Sequence, residues 1–188
     1  MKAFCFILTL ISFTTYAQSV DENAINALKA GAGYTREFPG LSGYTLTGEL
    51  VRDMTPFLQG AVGFKRVNVS GHPRSAKIEE YTKATTLDFT LYFLPLRQEN
   101  HIIKLGGGYS FSFYDIRRSY PVIEQVSPGS ETTNWNIKED QGRVSGFTLA
   151  AEYEYLIPYS LFSLGARASL FKAYTRVIYM GPFVAVHF

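Results

Sequence analysis

The segment Lys104–Tyr114 reads KLGGGYSFSFY and decides the fold of this 188-residue chain. Its apolar residues share one parity, at Leu105, Tyr109, Phe111 and Phe113, whereas lysine, glycine and serine occupy the other. Successive side chains of a β-strand point to opposite faces, so a period of two indicates a strand. The segment therefore predicts a strand with one apolar face and one face of small or polar residues.

The same alternation recurs along the rest of the chain. Two clear copies are TTLDFTLYF at 85–93 and GFTLAAEYEYL at 146–156, and weaker copies cover 27–36, 42–51, 57–67, 160–171 and 176–188. Each copy has about the 9 to 11 residues that a tilted strand needs to cross a bilayer, and no connection predicts a helix. The sequence therefore predicts an all-β chain of eight strands in one domain.

The connections differ in length between the two ends of the strands. One end has the short turns RDMTP (52–56), LPLRQEN (94–100) and Ile157-Pro158. The other end has the segment 37–41, the polar stretch 68–81, the long stretch of about 115–143 and a tight link near Ala173. Outer-membrane barrels place short turns in the periplasm and longer loops outside the cell. We therefore expect an eight-stranded antiparallel up-and-down transmembrane β-barrel with both termini in the periplasm.

Composition indicates which way the apolar face points. Charged residues make up 18% of the chain and aromatic residues 15%, and the polar face of the strands is mostly Gly, Ser and Thr. A soluble barrel would carry many Lys and Glu on its outer face, so we expect the apolar face to meet lipid. A soluble lipocalin-like periplasmic barrel, with the apolar face inward, stays open as an alternative.

A few charged residues fall on the small, inward parity. They are four cations and four anions: Lys29, Lys65, Lys104, Arg167, Glu49, Asp88, Glu152 and Glu154. Buried ions must be paired, and Lys104 with Glu152 and Lys29 with Glu49 stand at similar heights on adjacent strands. We interpret the eight as a structural charge network, with a proton or ion relay as the alternative. Eight strands leave an interior that side chains nearly fill, which excludes a wide pore.

The N-terminal residues predict an export signal. Residues 1–17 combine Lys2, an apolar run of about a dozen residues and a Thr15-Tyr16-Ala17 ending, which fits signal peptidase better than a membrane-spanning helix. Residues 18–25 are then a short periplasmic segment and 26–188 the barrel. Cys5 lacks the preceding small residues of a lipoprotein site. The net charge of +2 is close to neutral and argues against a nucleic-acid partner.

The last strand, IYMGPFVAVHF (178–188), places Val184, Val186 and Phe188 on one face and ends on the aromatic residue. This resembles the terminal strand of bacterial outer-membrane proteins, which the barrel-assembly machinery reads. Over residues 26–188 the chain resembles the small-barrel family of OmpX and the transmembrane domain of OmpA. The resemblance implies the outer membrane of a Gram-negative bacterium, and the balanced inward charges resemble that family's interior ion pairs. Pro182 departs from the pattern because it lacks an N–H, so we expect an irregularity there.

Catalytic chemistry has little support in the sequence. Barrel enzymes that modify lipid A need a nucleophile and a histidine base at the membrane surface. His72 lies beside Ser70 and near Ser75, whereas His101 is in a turn and His187 is next to last. The His-x-Ser pattern of the barrel deacylases is absent, as are metal-ligand and cofactor motifs. We expect no enzyme, no metal and no cofactor, with a lipid A-modifying enzyme as the alternative.

The stretch of about 115–143 is the most distinctive connection, and it contains Arg117, Arg118 and Trp135. Surface loops on a rigid scaffold are where binding resides, although the stretch could simply extend the two strands above the membrane. The sequence therefore predicts a non-enzymatic barrel that supports envelope integrity. Its loops would contact lipopolysaccharide, host or phage, and outer-membrane lipids would surround it.

Overall fold

The computed structural model describes residues 26–38, 40–72, 78–127, 130–172 and 174–188. The predicted signal peptide (1–17) and the segment 18–25 lie outside these residues. The described chain forms eight strands: β1 (Asn26–Phe38), β2 (Ser42–Thr55), β3 (Leu58–Gly71), β4 (Glu80–Gln98), β5 (His101–Ser127), β6 (Ser130–Leu156), β7 (Phe162–Lys172) and β8 (Arg176–His187). Within the described ranges, no helix has the length and hydropathy that a membrane crossing requires.

The eight strands close into one antiparallel barrel. Each strand pairs with the next in the sequence, and β1 pairs with β8, with Lys29 opposite Ala185. This confirms the predicted up-and-down barrel. We call the end at which β1 is followed by β2, β3 by β4, β5 by β6 and β7 by β8 the loop end, and the opposite end, with both ends of the described chain, the turn end.

The faces of the strands also follow the prediction. On β4, Leu87, Phe89, Leu91 and Phe93 point outward and are each 40 to 51% exposed, whereas Asp88 and Tyr92 point inward and are buried. An apolar belt of this kind around a whole molecule would drive aggregation in water, but it matches hydrocarbon. Because the ring is closed, no backbone edge of the barrel is left unpaired in lipid. The arrangement contradicts the soluble alternative, which required an inward apolar face.

The strands are longer than the alternation predicted. β5 and β6 pair without interruption from the barrel wall toward their tips, with Arg117 opposite Glu139 and Pro121 opposite Trp135. The stretch predicted as a connection of about 115–143 is therefore mostly a two-stranded ladder. Beyond the barrel wall neither face of this ladder covers a core, so the apolar alternation that marks the other strands is lost. The turn between β4 and β5 is likewise shorter than predicted. β4 continues to Gln98, beyond a register shift between Phe93 and Leu96.

The seam between β1 and β8 has the irregularity expected at Pro182. Paired positions stop at Gly31 with Phe183 and resume at Tyr34 with Met180. The two backbones come very close in this gap, since a Cβ on Gly33 would stand 2.2 Å from the Met180 carbonyl oxygen. Only glycine allows that approach, and proline has no N–H to complete the ladder. The seam closes through backbone proximity at this point instead of regular pairing.

Two apolar clusters cap the polar middle of the barrel interior. The cluster toward the turn end is Ala27, Val51, Ala61, Tyr92, Leu94, Ile102 and Ala150. The cluster toward the loop end is Leu41, Val67, Val69, Ala84, Phe171 and Val177. Between them, the gap bordered by Lys65, Asp88 and Arg167 has essentially no room for a water molecule. The interior is therefore packed, in agreement with the expected absence of a wide pore.

Candidate functional site

The eight inward charges form a buried group that we call the interior network. All eight side chains are at most 6% exposed. Glu152 of β6 lies at its centre, 2.7 Å from the Lys29 ammonium of β1 and in contact with the Arg167 guanidinium of β7. Glu154 lies 2.7 Å from Lys104 and 3.3 Å from Lys29. Each of these carboxylates thus meets two cations, which compensates the cost of burying them.

The rest of the interior network combines ion pairs with hydrogen bonds from neutral hydroxyls. Arg167 also pairs with Glu49, whose Oε1 accepts a hydrogen bond of 3.1 Å from the Tyr92 hydroxyl. Lys65 and Asp88 form a separate pair at 3.0 Å. Asp88 Oδ1 accepts hydrogen bonds from two more hydroxyls, Ser110 at 2.7 Å and Thr148 at 3.0 Å. These hydroxyls belong to the small polar residues of the inward parity.

Strand register confirms the heights expected for the interior network, but it does not identify the ionic partners of its lysines. Lys29 is opposite Glu49, and Lys104 is opposite Glu152, in the strand register. The ion pairs of Lys29 nevertheless cross the lumen to Glu152 and Glu154, whereas Lys104 pairs with Glu154 on the neighbouring strand. In an eight-stranded barrel the opposite wall is within reach of a long side chain, and strand register describes neighbours only. An ion relay would need a wet path, whereas both ends of the interior network meet apolar clusters.

A serine, a histidine and a carboxylate meet at the turn end. His187 Nε2 is 3.0 Å from Ser163 Oγ and 3.1 Å from Glu154 Oε1. A catalytic triad needs the nucleophile on one ring nitrogen and the carboxylate on the other, whereas both partners here share Nε2. Ser163 is also fully buried. The trio therefore ties β6, β7 and β8 together, and the inward parity of His187 is the sequence signal that could have revealed it.

The other two histidines are not part of this trio. His101 Nδ1 is 2.7 Å from the Tyr153 hydroxyl, on the outer surface at the turn end. His72 follows the last residue of β3, and its expected neighbour Ser75 lies outside the described residues. In the described part of the chain, no group of three His, Cys, Asp or Glu residues is arranged to hold a metal ion.

A second ionic group, in which two buried carboxylates meet a partly exposed arginine, spans the barrel mouth at the loop end and was not predicted from the sequence. We call Glu37 of β1, Glu80 of β4 and Arg118 of β5 the mouth cluster. Arg118 pairs with Glu37, donates a 2.9 Å hydrogen bond to the Tyr81 carbonyl and lies 3.9 Å from Glu80. Arg118 was predicted as a surface contact, but its charge is turned inward. Its even number places it on the same inward parity as Lys104, which is the signal that could have shown this.

Tyr174 stands beside the mouth cluster, in the link between β7 and β8. Its ring packs on Tyr114, with 5.3 Å between centroids. Burial raises the pKa of its phenol well above the usual value, and the charge of Glu37 acts in the same direction. Tyr174 is therefore a neutral, packed side chain next to the mouth cluster.

The other two loop residues singled out from the sequence lie on the outward side of the hairpin. Arg117 is 3.7 Å from the Glu139 carboxylate on β6. Trp135 is half-buried, opposite Pro121, and Ile137 beside it is 44% exposed. At the other end of the barrel, Val184, Val186 and Phe188 of the predicted assembly signal all point outward to the apolar belt.

Comparison with known proteins identifies the fold. No family model matches the sequence, and no curated protein does. Among solved structures, Neisserial surface protein A (NspA) matches with a TM-score of 0.58 and 16% identity, over 88% of this chain and 96% of that one. Ail, the attachment invasion locus protein of Yersinia pestis, matches with a TM-score of 0.52 and 12% identity, over 89% and 100%. The chain thus has the fold of small outer-membrane eight-stranded barrels, as the resemblance to OmpX and OmpA implied.

Proposed function

We propose that this chain is a non-enzymatic barrel of a Gram-negative outer membrane that supports the envelope and presents its β5–β6 hairpin for contact outside the cell. The observation that carries the proposal is the contrast between a sealed barrel and one long hairpin. β4 stops pairing with β5 at Tyr81 and Arg117, and β7 stops pairing with β6 at Lys172 and Phe147. Residues 118–127 and 130–138, which we call the hairpin extension, pair only with each other.

The hairpin extension is long and braced at its base. Ten residues of β5 beyond Arg117 correspond to about 30 Å at the usual rise of a strand. An isolated two-stranded ribbon is marginal in water, so such a length needs support. The mouth cluster supplies it, because Arg118 ties the first residue of the extension to Glu37 on β1. A rigid projection of this kind suits contact with a partner.

The outward face of the hairpin extension offers contact chemistry. Trp135 and Ile137 are accessible there, and the ion pair of Arg117 and Glu139 lies just below them. Aromatic and arginine side chains contribute strongly to protein contacts. Ail, which shares the fold, is named for attachment and invasion. These features support a role in surface contact, with a host, phage or lipopolysaccharide partner.

The proposed orientation puts the turn end and both termini in the periplasm. The short turns there fit the usual pattern of outer-membrane barrels. We further propose that Val184, Val186 and Phe188 are read by the barrel-assembly machinery during insertion. Lipopolysaccharide and other outer-membrane lipids would then surround the apolar belt.

Cysteine labelling of intact cells tests location and orientation together. The only native cysteine, Cys5, lies in the predicted signal peptide. We expect Lys138→Cys in the hairpin extension to react with a membrane-impermeant maleimide on intact cells. The matched variant Asn100→Cys, in a turn at the opposite end, should react only after lysis. Labelling of Asn100→Cys alone on intact cells would reverse the orientation, and recovery of both in the soluble extract would refute the proposal.

The alternative of a lipid A-modifying enzyme is tested by mass spectrometry of lipid A. We expect the acyl pattern to be the same with and without the gene, because the serine–histidine trio is buried and lacks triad geometry. A pattern that changes on deletion and returns with the wild-type gene would establish the enzyme.

A further inference from the structure

Three cations stand together on the outward face of the barrel at its loop end. Lys172 ends β7, Arg176 begins β8 and Arg36 lies near the end of β1, and all three are exposed. Lys172 and Arg176 are direct register partners, and Arg176 faces Phe38, two residues from Arg36. We call Arg36, Lys172 and Arg176 the rim cluster.

The rim cluster has no carboxylate partner among the described side chains, and none of its cations stacks on an aromatic ring. Other cations near the loop end do have a partner: Arg117 pairs with Glu139, Lys83 lies 4.9 Å from the Tyr81 ring centre, and Arg143 lies 5.2 Å from that of Phe113. Like charges directly opposite on neighbouring strands destabilise a sheet. An anion bound between Lys172 and Arg176 would turn that repulsion into attraction.

The space beside these cations fits such an anion. An open groove of about 370 Å³ is bordered by Lys172 and Arg176 together with Phe38, Tyr174 and Thr175. A 2.8 Å hydrogen bond from the Thr175 hydroxyl to the Phe38 carbonyl joins the β7–β8 link to β1 across the groove. Two cations and a ring at one small groove are suited to a phosphate on an amphipathic molecule.

The height of the rim cluster places it at a lipid headgroup. Each cation stands two residues beyond an outward apolar residue on its own strand: Leu170 below Lys172, Ile178 below Arg176 and Tyr34 below Arg36. Basic side chains directly above a lipid-facing band meet anionic headgroups. An anion free in solution has no preference for cations at this level of the barrel.

We propose that the rim cluster is a binding site for the phosphate of a phosphorylated glycolipid headgroup in the outer leaflet. The inference rests on the proposed function, because only a barrel with its loop end outside the cell presents these residues to that leaflet. It adds a defined site, on β7, β8 and β1, to the general contact between barrel and lipid.

Thermal unfolding of the barrel in zwitterionic detergent micelles, with diphosphoryl lipid A titrated in, tests the site. A ligand that binds only the folded state raises the unfolding temperature in proportion to its affinity. For the double variant Lys172→Gln with Arg176→Gln we expect an apparent affinity about 30-fold weaker, since each basic residue at an anionic lipid surface contributes about fivefold. The double variant Arg117→Gln with Lys138→Gln removes the same charge from the hairpin and should bind like the wild type.

Two further measurements, on a single variant and with inorganic phosphate, complete the test. Arg36→Gln alone should weaken binding about fivefold and covers the case in which the double variant fails to fold. Inorganic phosphate at the same concentration should produce no shift, and a full shift with phosphate alone would overturn the assignment to a lipid. Equal affinities for both double variants would also overturn it. A wild-type chain that folds in plain buffer without detergent would instead refute the proposed function.

Discussion

Glu152 is the residue on which the interior network depends most. It contacts both Lys29 and Arg167, and it is almost inaccessible to water. Replacement by alanine leaves two buried cations with one partner fewer, so we expect Glu152→Ala to lower the free energy of unfolding by about 3 to 5 kcal/mol. Urea unfolding in micelles, followed by circular dichroism, measures the change. The exposed Lys83→Ala is the control, expected within about 0.5 kcal/mol of wild type.

Leu91 tests the direction of the outward face. It is 50% exposed in the middle of β4 and has lipid as its expected surroundings. Arginine there should cost roughly 2 to 4 kcal/mol if it faces the middle of a bilayer. Arginine at the exposed Asn136, in the hairpin extension, should cost almost nothing. Folding yields into lipid vesicles compare the two variants, and equal yields would contradict the lipid-facing assignment.

Residue parity predicted the burial of single side chains well but not their partners. The inward position of Lys29, Lys104 and Arg167 follows from counting along each strand. The ion pairs from Lys29 to β6 do not, because they cross a closed ring whose geometry no single strand contains, whereas Arg167 contacts its register partner Glu152 on the neighbouring strand. Arg118 shows the opposite error: its parity was available, but the stretch around it was treated as a loop, where parity has no meaning.

The hairpin is the element whose extent the sequence did not reveal. Strands in the wall were recognisable because one face meets lipid and the other a packed lumen, which imposes the alternation. Both faces of the hairpin extension lie beyond that wall, so nothing requires apolar and polar residues to alternate there. The remaining sequence signal for strands there comes from residues such as Tyr120, Val122 and Ile137. These residue types favour strands but do not show which face is apolar.

The brace at the base of the hairpin can be removed without touching the wall. Arg118→Gln deletes the ion pair with Glu37 and weakens the hydrogen bond to the Tyr81 carbonyl. We expect proteolysis within the hairpin extension to become about tenfold faster, because hydrogen bonds to charged groups stabilise the hairpin against local unfolding. Limited proteolysis in micelles measures this, with the barrel core as an internal reference. The neighbouring Arg117→Gln, whose ion pair is exposed, should leave the rate unchanged; a similar acceleration in both would dismiss the brace.

At the scale of the whole molecule, polarity is reversed relative to a soluble protein. Within the barrel wall, the charges of the interior network lie inside, four cations against four anions, and the apolar side chains lie outside. This reversal explains the low charge content: the wall leaves few positions where an ion meets water, and the cations of the rim cluster and the hairpin lie beyond it. It also explains why the two apolar clusters are small, since they close the ends of a polar interior instead of forming a core.

A sealed barrel should not conduct ions, and this is the sharpest test of the whole interior. The interior network is capped by Ile102 and its neighbours toward the turn end and by Phe171 and its neighbours toward the loop end, with no room for water at the gap beside Arg167. We expect no stepwise current when the refolded protein is added to a planar bilayer. The double variant Ile102→Ala with Phe171→Ala widens both caps but keeps every ion pair, so it should stay silent as well. Stepwise current from the wild type would mean that the ion pairs open as a path, whereas current from the variant alone would assign the seal to the caps instead of the interior network.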